Sequence, residues 1–362
     1  MTPVSSPAIG RPLALLVVLL LAVPVSGCFD ALPGLKDGAG AAAWPLEMTG
    51  VDLLHNDRGL TGKGVRIAII DTGIDAGHDE FQDLVADGRL LWKDLVNGRK
   101  QPYDDAGHGT HVAGIIASQG EWSTVFNRGF YLKGVAPGAT LIVIKAIGAN
   151  GQGDEATVAR AINIAVENEA QIIVLSLGGE TRKIFGLFPA TSEAETAVKA
   201  AVAKGVYVVA AAGNEGDDGQ NCRVTSPASV REVIAVGAVD EDKKIGDFSC
   251  GGGTSSAADP DKKPELVAPG VAVLGPWKGN SYMLASGTSQ AAPIVGGALA
   301  LLLEAHPELA LKNGDAVRKV KQTLMATAEE IGPLAPASAP NHHGYYGYGL
   351  LRADSLLAAY DK

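Results

Sequence analysis

"VRIAIID", residues 65–71, is the stretch on which the fold turns. Apart from Arg66 it is aliphatic up to its last residue, and it stops at a carboxylate, Asp71. A continuous, β-branched run without polar alternation suits a strand covered on both faces, as at the centre of a parallel sheet. "LIVIKAI" (141–147), "IIVLSL" (172–177), "VYVVAAA" (206–212) and "VIAVGAV" (233–239) have the same character. Between them, "HGTHVAGIIASQ" (108–119), "ATVARAINIAVENE" (156–169) and "SEAETAVKAAVAKG" (192–205) carry apolar residues at helical spacing, the last ending on a glycine suited to a C-cap. The apolar "IVGGALALLL" (294–303) reads as a buried helix, followed by "DAVRKVKQTLMATA" (315–328) and "LLRADSLLAAY" (350–360). Alternating strands and helices predict an α/β fold, a doubly wound, mostly parallel sheet with helices on both faces. No composition break divides residues 44–362, so one domain is expected there, with its chemistry at the carboxyl ends of the strands.

The chain of 362 residues is 46% hydrophobic and 19% charged, a globular composition. Its net charge of −10 and its lack of a Lys/Arg-rich block exclude a nucleic-acid surface, which needs a basic face. "LALLVVLLLAVPV" (13–25) is too short to span a bilayer comfortably and runs into the small residues Ser26 and Gly27. Residues 1–27 therefore read as a signal peptide rather than a fold element. The ending Val25-Ser26-Gly27-Cys28 resembles a bacterial lipobox, in which Cys28 becomes the lipidated first residue of the mature chain. The expected location is the cell envelope, lipid-anchored outside the cytoplasm or secreted, and Phe29 after Cys28 favours the outer membrane. Residues 28–43, rich in Gly and Ala, read as a flexible tether. Cys222 and Cys250, the remaining cysteines, are an exported pair expected to form a disulfide, the alternative being two buried thiols.

The strand ends and helix mouths carry polar residues in glycine-rich settings. Asp71 ends the first run in "IAIIDTGID", with Asp75 close behind. A carboxylate after so many aliphatic positions is partly buried and needs a partner. His108 opens "HGTHVAG" between two glycines, with His111 one helical turn on. Two His at this spacing raise metal binding, but no HExxH and no cysteine cluster accompany them. Asn214 in "AAAGNEG" reads either as turn chemistry or as an oxyanion donor. Ser286, Thr288 and Ser289 in "ASGTSQAAP" precede the apolar helix, where hydroxyls serve as caps or as a nucleophile.

The motifs "IIDTGID", "HGTHVAG", "SLGG", "AAAGNEG" and "SGTSQAAPIVGG", in this order, resemble those of the subtilisin-like serine proteases, the subtilases. "KGVAPGATL", "ELVAPG" and "YGYGLLRADSL" match as well, so the resemblance runs from about Trp44 to about Ala359. It implies a subtilisin-like fold and a serine endopeptidase with Ser289 as nucleophile, His108 as general base, Asp71 orienting the imidazole and Asn214 as oxyanion donor. His111 and Asp75 would then be structural. It also implies a peptide or protein substrate lying extended on Gly151 to Gly153 and on Ser176, Leu177, Gly178 and Gly179. Ala211, Ala212 and Gly213 would line the primary specificity pocket, with Thr225 near its base. A threonine there makes the pocket shallow and predicts small or medium side chains. No cofactor is required. Calcium is possible, since Glu80 in "DAGHDEFQD" falls near a family calcium ligand, although "QGEWSTVFNRGFYLKG" (119–134) replaces the loop that completes that site. The resemblance implies a pro-domain, and only about sixteen residues separate Cys28 from Trp44, so the options are unaided folding, help from a partner, or a numbering that starts too late. A monomer is expected. The alternatives are a narrow-specificity processing or transpeptidating enzyme and a non-catalytic envelope scaffold.

Overall fold

The computed structural model describes residues 15–17, 21–22, 38–125, 128–178, 192–216, 222–252, 262–310, 313–333 and 342–361. Two short strands, β1 (Leu15–Val17) and β2 (Leu21–Ala22), come first, then helices α1 (Gly38–Thr49) and α2 (Val51–Arg58). Strand β3 (Arg66–Asp71) leads to α3 (Gln82–Ala86), β4 (Leu90–Asp94) and α4 (His108–Ala117). A hairpin follows, β5 (Gln119–Val125) and β6 (Arg128–Lys133), then β7 (Thr140–Lys145) and β8 (Gln152–Asp154). The middle of the chain alternates α5 (Glu155–Glu167), β9 (Ile172–Leu175), α6 (Glu193–Ala203), β10 (Tyr207–Ala211) and β11 (Ile234–Val239). Strands β12 (Leu266–Pro269), β13 (Val273–Trp277) and β14 (Ser281–Ser286) precede α7 (Thr288–Ala305), α8 (Gly314–Ala326) and α9 (Ala353–Ala358).

Seven strands form one sheet in the order β12-β11-β10-β9-β3-β7-β4, every neighbouring pair parallel. Ile67, Ile69 and Ile70 of β3 and Ile172 to Leu175 of β9 are fully buried, which explains why these strands read as unbroken apolar runs. Truncating one such side chain to Ala would cost about 2–5 kcal/mol. α4 and α7 pack on each other and on the sheet, as do α5 and α6. The chain adds β7 on one side of β3 and then β9 on the other. β3 therefore lies at the point where the winding reverses, and Asp71, its last residue, stands at the crevice such a reversal opens.

Local chemistry starts the helices where the pattern predicts. Asp154 caps α5 by accepting from Thr157 N (2.8 Å), and Ser192 caps α6 by accepting from Glu195 N (3.1 Å). Gly205, just past α6, has φ +89°, the left-handed turn expected of it. Cys222 and Cys250 form a disulfide with Cα atoms 5.0 Å apart and a sequence separation of 28. A loop of that size is worth about 3.5 kcal/mol in the chain-entropy picture.

At the N-terminus the structure adds to what the sequence suggests. Residues 38–43, read as tether, belong to α1, because their alanines favour helix and because Ala42 and Trp44 bury against the body of the molecule. Within the apolar leader, β1 pairs antiparallel with β8 and β2 with β14. Both partners offer open backbone edges, and a Leu/Val-rich segment has the composition to add to them. Cys28 and Gly179 lie outside the described residues.

Candidate active site

Asp71 and His108 meet because β3 and α4 converge at the crevice. The Asp71 carboxylate is fully buried, and its Oδ1 accepts from Thr72 N at 2.7 Å and lies 2.7 Å from His108 Nδ1. His108 is the first residue of α4, and Gly107 before it takes φ +103° beneath the Trp277 indole, where a Cβ would collide. Asp104 holds the approach to this helix: Oδ1 accepts from Thr72 Oγ1, Ala106 N and Gly107 N, and Oδ2 from Thr110 N and Oγ1. Burial alone would lower the His108 pKa. The charge and hydrogen bond of Asp71, with a further contribution from Asp104, outweigh it and hold the imidazole above its ordinary value of 6.5.

His111 behaves in the opposite way. Burial, and then the neighbouring His108, push its pKa down to about 4, against the raising effect of the Met283 and Val273 carbonyls that its Nε2 faces at 3.2 Å. It is a neutral packing residue near neutral pH. Asp75 likewise spends its oxygens on the backbone N–H groups of Gly77 and Gly279.

Ser289 is the second residue of α7, behind an N-cap, Gly287, that offers no side-chain bond. None of the three hydroxyls caps this helix. Ser286 Oγ accepts from Ala272 N, and Thr288 N donates to Asn214 Oδ1 at 2.8 Å. Asn214 Oδ1 also accepts from Thr288 Oγ1 at 2.9 Å, which fixes the orientation of the amide. Its Nδ2 lies over Gly287, where a Cβ would come within 3.2 Å. Pro293, inside α7, has no N–H for the Ser289 carbonyl four residues back. Ser176 Oγ takes that acceptor at 2.9 Å, and the Ser289 hydroxyl donates in return to Ser176 O at 3.2 Å. Among the described contacts no hydrogen bond joins Ser289 to His108.

Of the residues expected to form the substrate wall, Ser176 meets this serine directly. Ser176 and Leu177 are buried at the end of β9, and Ala211 ends β10. A Cβ on Gly178 would come within 2.6 Å of Thr225 Oγ1, and one on Gly213 within 3.2 Å of it. Thr225 therefore stands between the two glycine walls. Gly151 makes the tight turn at φ +73°, and Gly153 lies in β8 opposite Leu16 of β1. The Cys222–Cys250 disulfide braces the same wall, since Cys250 N donates to Gly213 O and Val224 N to Gly251 O.

Sequence reasoning missed Asp104, Thr72 and Lys145, which serve through contacts that no local pattern announces. It also left calcium open. Glu80 is fully buried, with Oε1 accepting from the Tyr282 hydroxyl (3.1 Å) and Oε2 from Gly120 N (3.4 Å). Asp79 accepts from the Gln82 and Asn280 side chains. These carboxylates are met by proton donors, and the described residues contain no group of three or more His, Cys, Asp or Glu that could hold a metal.

Residues 62–349 match the Subtilase family. The chain belongs to the subtilase family. Subtilisin DY of Bacillus licheniformis is 35% identical over 311 residues, covering 84% of this chain and 97% of that protein. The major intracellular serine protease of Bacillus subtilis is 38% identical over 247 residues, covering 68% and 70%. Subtilisin E of Bacillus subtilis is 34% identical over 303 residues, covering 83% and 68%. This subtilase is a serine-type endopeptidase, and its seven-stranded parallel sheet with surrounding helices is the expected doubly wound fold. One of these relatives is named as intracellular, so membership leaves the compartment to the N-terminus.

Proposed function

We propose that Asp71, His108 and Ser289 hydrolyse peptide bonds through an acyl-enzyme, with Asn214 Nδ2 and the Ser289 N–H binding the oxyanion. The observation that carries this reading is the buried 2.7 Å contact between Asp71 Oδ1 and His108 Nδ1. It fixes the tautomer with Nε2 as proton acceptor and stabilises the imidazolium that forms during attack. Ser289 Oγ leaves the Ser176 carbonyl for His108 Nε2, loses its proton there and attacks the substrate carbonyl. The proton returns to the leaving amine, and water repeats the cycle on the acyl-enzyme. A prepositioned oxyanion donor is worth about 3–4 kcal/mol.

The substrate is a peptide or protein strand added to the β8 edge, whose capacity for an antiparallel partner is supported by its pairing with β1. Thr225 between Gly178 and Gly213 supports a shallow pocket for small or medium side chains. The enzyme works without calcium and is anchored through lipidated Cys28 in the cell envelope, a reading that rests on "VSGC" after the apolar leader. Of the alternatives, the insertion 119–134 gives a specialised processing enzyme little support: Ser123 bonds Tyr282, and Phe130 packs edge-on to the same ring, so the hairpin serves the body of the fold.

Labelling with a fluorophosphonate probe tests the reading. Wild type is expected to label and Ser289→Ala not. A folded wild type that fails to label would point to the scaffold instead.

A further inference from the structure

Behind the Asp71–His108 pair lies a charged group the mechanism does not use. Lys145 ends β7, directly opposite Asp71 in the β3–β7 register, and its side chain is fully buried. Its Nζ donates to Thr72 O at 2.5 Å, to Asp105 Oδ1 at 2.7 Å and to Ile147 O at 3.0 Å. Three ammonium protons thus meet three acceptors, and the Tyr103 ring lies 5.1 Å from Nζ. A buried ammonium is costly unless it is satisfied in this way.

The three acceptors belong to three different parts of the site. Thr72 follows Asp71, donates its N–H to that carboxylate, and accepts from Gly109 N through Oγ1. Asp105 lies in the loop that Asp104 holds ahead of His108. Ile147 opens the segment that runs through Gly148 and Gly151 to the β8 edge, and its N–H bonds the Asp71 carbonyl at 3.2 Å. We infer that Lys145 is a positioning residue that locks the Asp71 strand end, the His108 loop and the substrate edge into one rigid unit. It touches neither the substrate nor the reacting atoms. The inference rests on the proposed triad.

The test compares kcat and KM of the full-length enzyme on two substrates, one with a single residue on the acyl side and one with four. Lys145→Met is expected to lower kcat about 10- to 100-fold, the scale of a displacement of about 1 Å in a catalytic group. It should also erase most of the rate advantage of the longer substrate, because the β8 edge loses its anchor at Ile147. Asp105, at the surface, gives a second handle that spares the core. Asp105→Ala should lower kcat about threefold to tenfold with KM unchanged, on the same displacement argument, and Asp105→Asn, which keeps the acceptor, should recover most of it. A folded Lys145→Met enzyme with wild-type kcat and length dependence, even at a lower melting temperature, would reduce the lysine to an ordinary buried ion pair and overturn the inference. If that variant does not fold, wild-type kcat in Asp105→Ala overturns it. Ser289→Ala run alongside separates the two readings: near-wild-type turnover there would sink the triad and the inference with it, whereas loss of turnover there beside a wild-type-like Lys145→Met overturns the inference alone.

Discussion

At His108 two opposing effects act on one imidazole, and their balance sets a pH dependence. Burial disfavours the charged ring, while Asp71, with help from Asp104, favours it more strongly. The base must be neutral to act, so activity is present above the His108 pKa and lost as pH falls through it. The acid limb of kcat/KM is therefore expected above pH 6.5. Asp71→Asn should move that limb to lower pH, since burial would then be opposed by Asp104 alone, and should lower kcat by about 10⁴-fold by permitting the wrong tautomer. A limb at the same pH in both enzymes would show that another group titrates. Thr225 sets a second expectation. Thr225→Gly removes the group between Gly178 and Gly213 and should shift preference from Ala toward Phe on the acyl side of the cleaved bond by at least about tenfold, the worth of a few methylenes in a pocket. An unchanged ratio would place the pocket floor elsewhere.

At the scale of elements, the β5–β6 hairpin and the mouth of α7 show backbone groups finding partners far away in sequence. Glu80 precedes α3, yet its oxygens are taken by Gly120 at the start of the hairpin and by Tyr282 of β14. The Tyr282 hydroxyl also bonds Ser123, and burial followed by the Glu80 charge raises its pKa well above the usual phenol value. The protonated phenol is a permanent donor to the carboxylate, so activity and melting temperature should be unchanged in excess EDTA. Tyr282→Phe should destabilise the fold by about 1–3 kcal/mol, by leaving a buried carboxylate oxygen without its donor. A large fall in melting temperature in EDTA, restored by calcium, would contradict this account. At the mouth of α7 the absent N–H of Pro293 releases the Ser289 carbonyl to Ser176, and Asn214 occupies the Thr288 N–H. The Ser289 carbonyl and the Thr288 N–H before it are both held from outside the helix, so the Ser289 hydroxyl can turn without disturbing the helix.

Across the whole molecule, winding direction decides where the chemistry happens, and the proposed anchor decides in which compartment. α7 is long and apolar enough to cross a membrane but lies buried in the core, and the attachment proposed above is through Cys28. Wild type expressed in a bacterial envelope is expected in the membrane fraction, and Cys28→Ala in the soluble fraction or still in precursor form. Equal partitioning of the two would rule out the lipid anchor. Cleavage before Cys28 would also remove β1 and β2 and release the β8 and β14 edges.

Much of this was legible in the linear chain. The five aliphatic runs determined five central strands, because a strand buried on both faces can be built from little else. The residue types at strand ends and helix mouths, with the glycines beside them, raised Asp71, His108, Asn214 and Ser289 as candidates, and only the resemblance of the ordered motifs to the subtilases gave them roles. Helix starts at Asp154 and Ser192 followed from capping chemistry that acts over three residues. Composition failed at residues 38–43, where helix and tether look alike until Trp44 finds a surface to bury against. It could not say whether the hydroxyls at 286–289 cap or react, because the helix mouth takes its partners from Asn214 and Ser176, 74 and 113 residues away in sequence. It was silent on Lys145, a single polar residue in an apolar run, whose purpose exists only once three distant segments surround its ammonium group. Local patterns are set by interactions within a turn or a strand. The partners of buried polar groups are chosen by the packing of the whole sheet, and those only the tertiary structure decided.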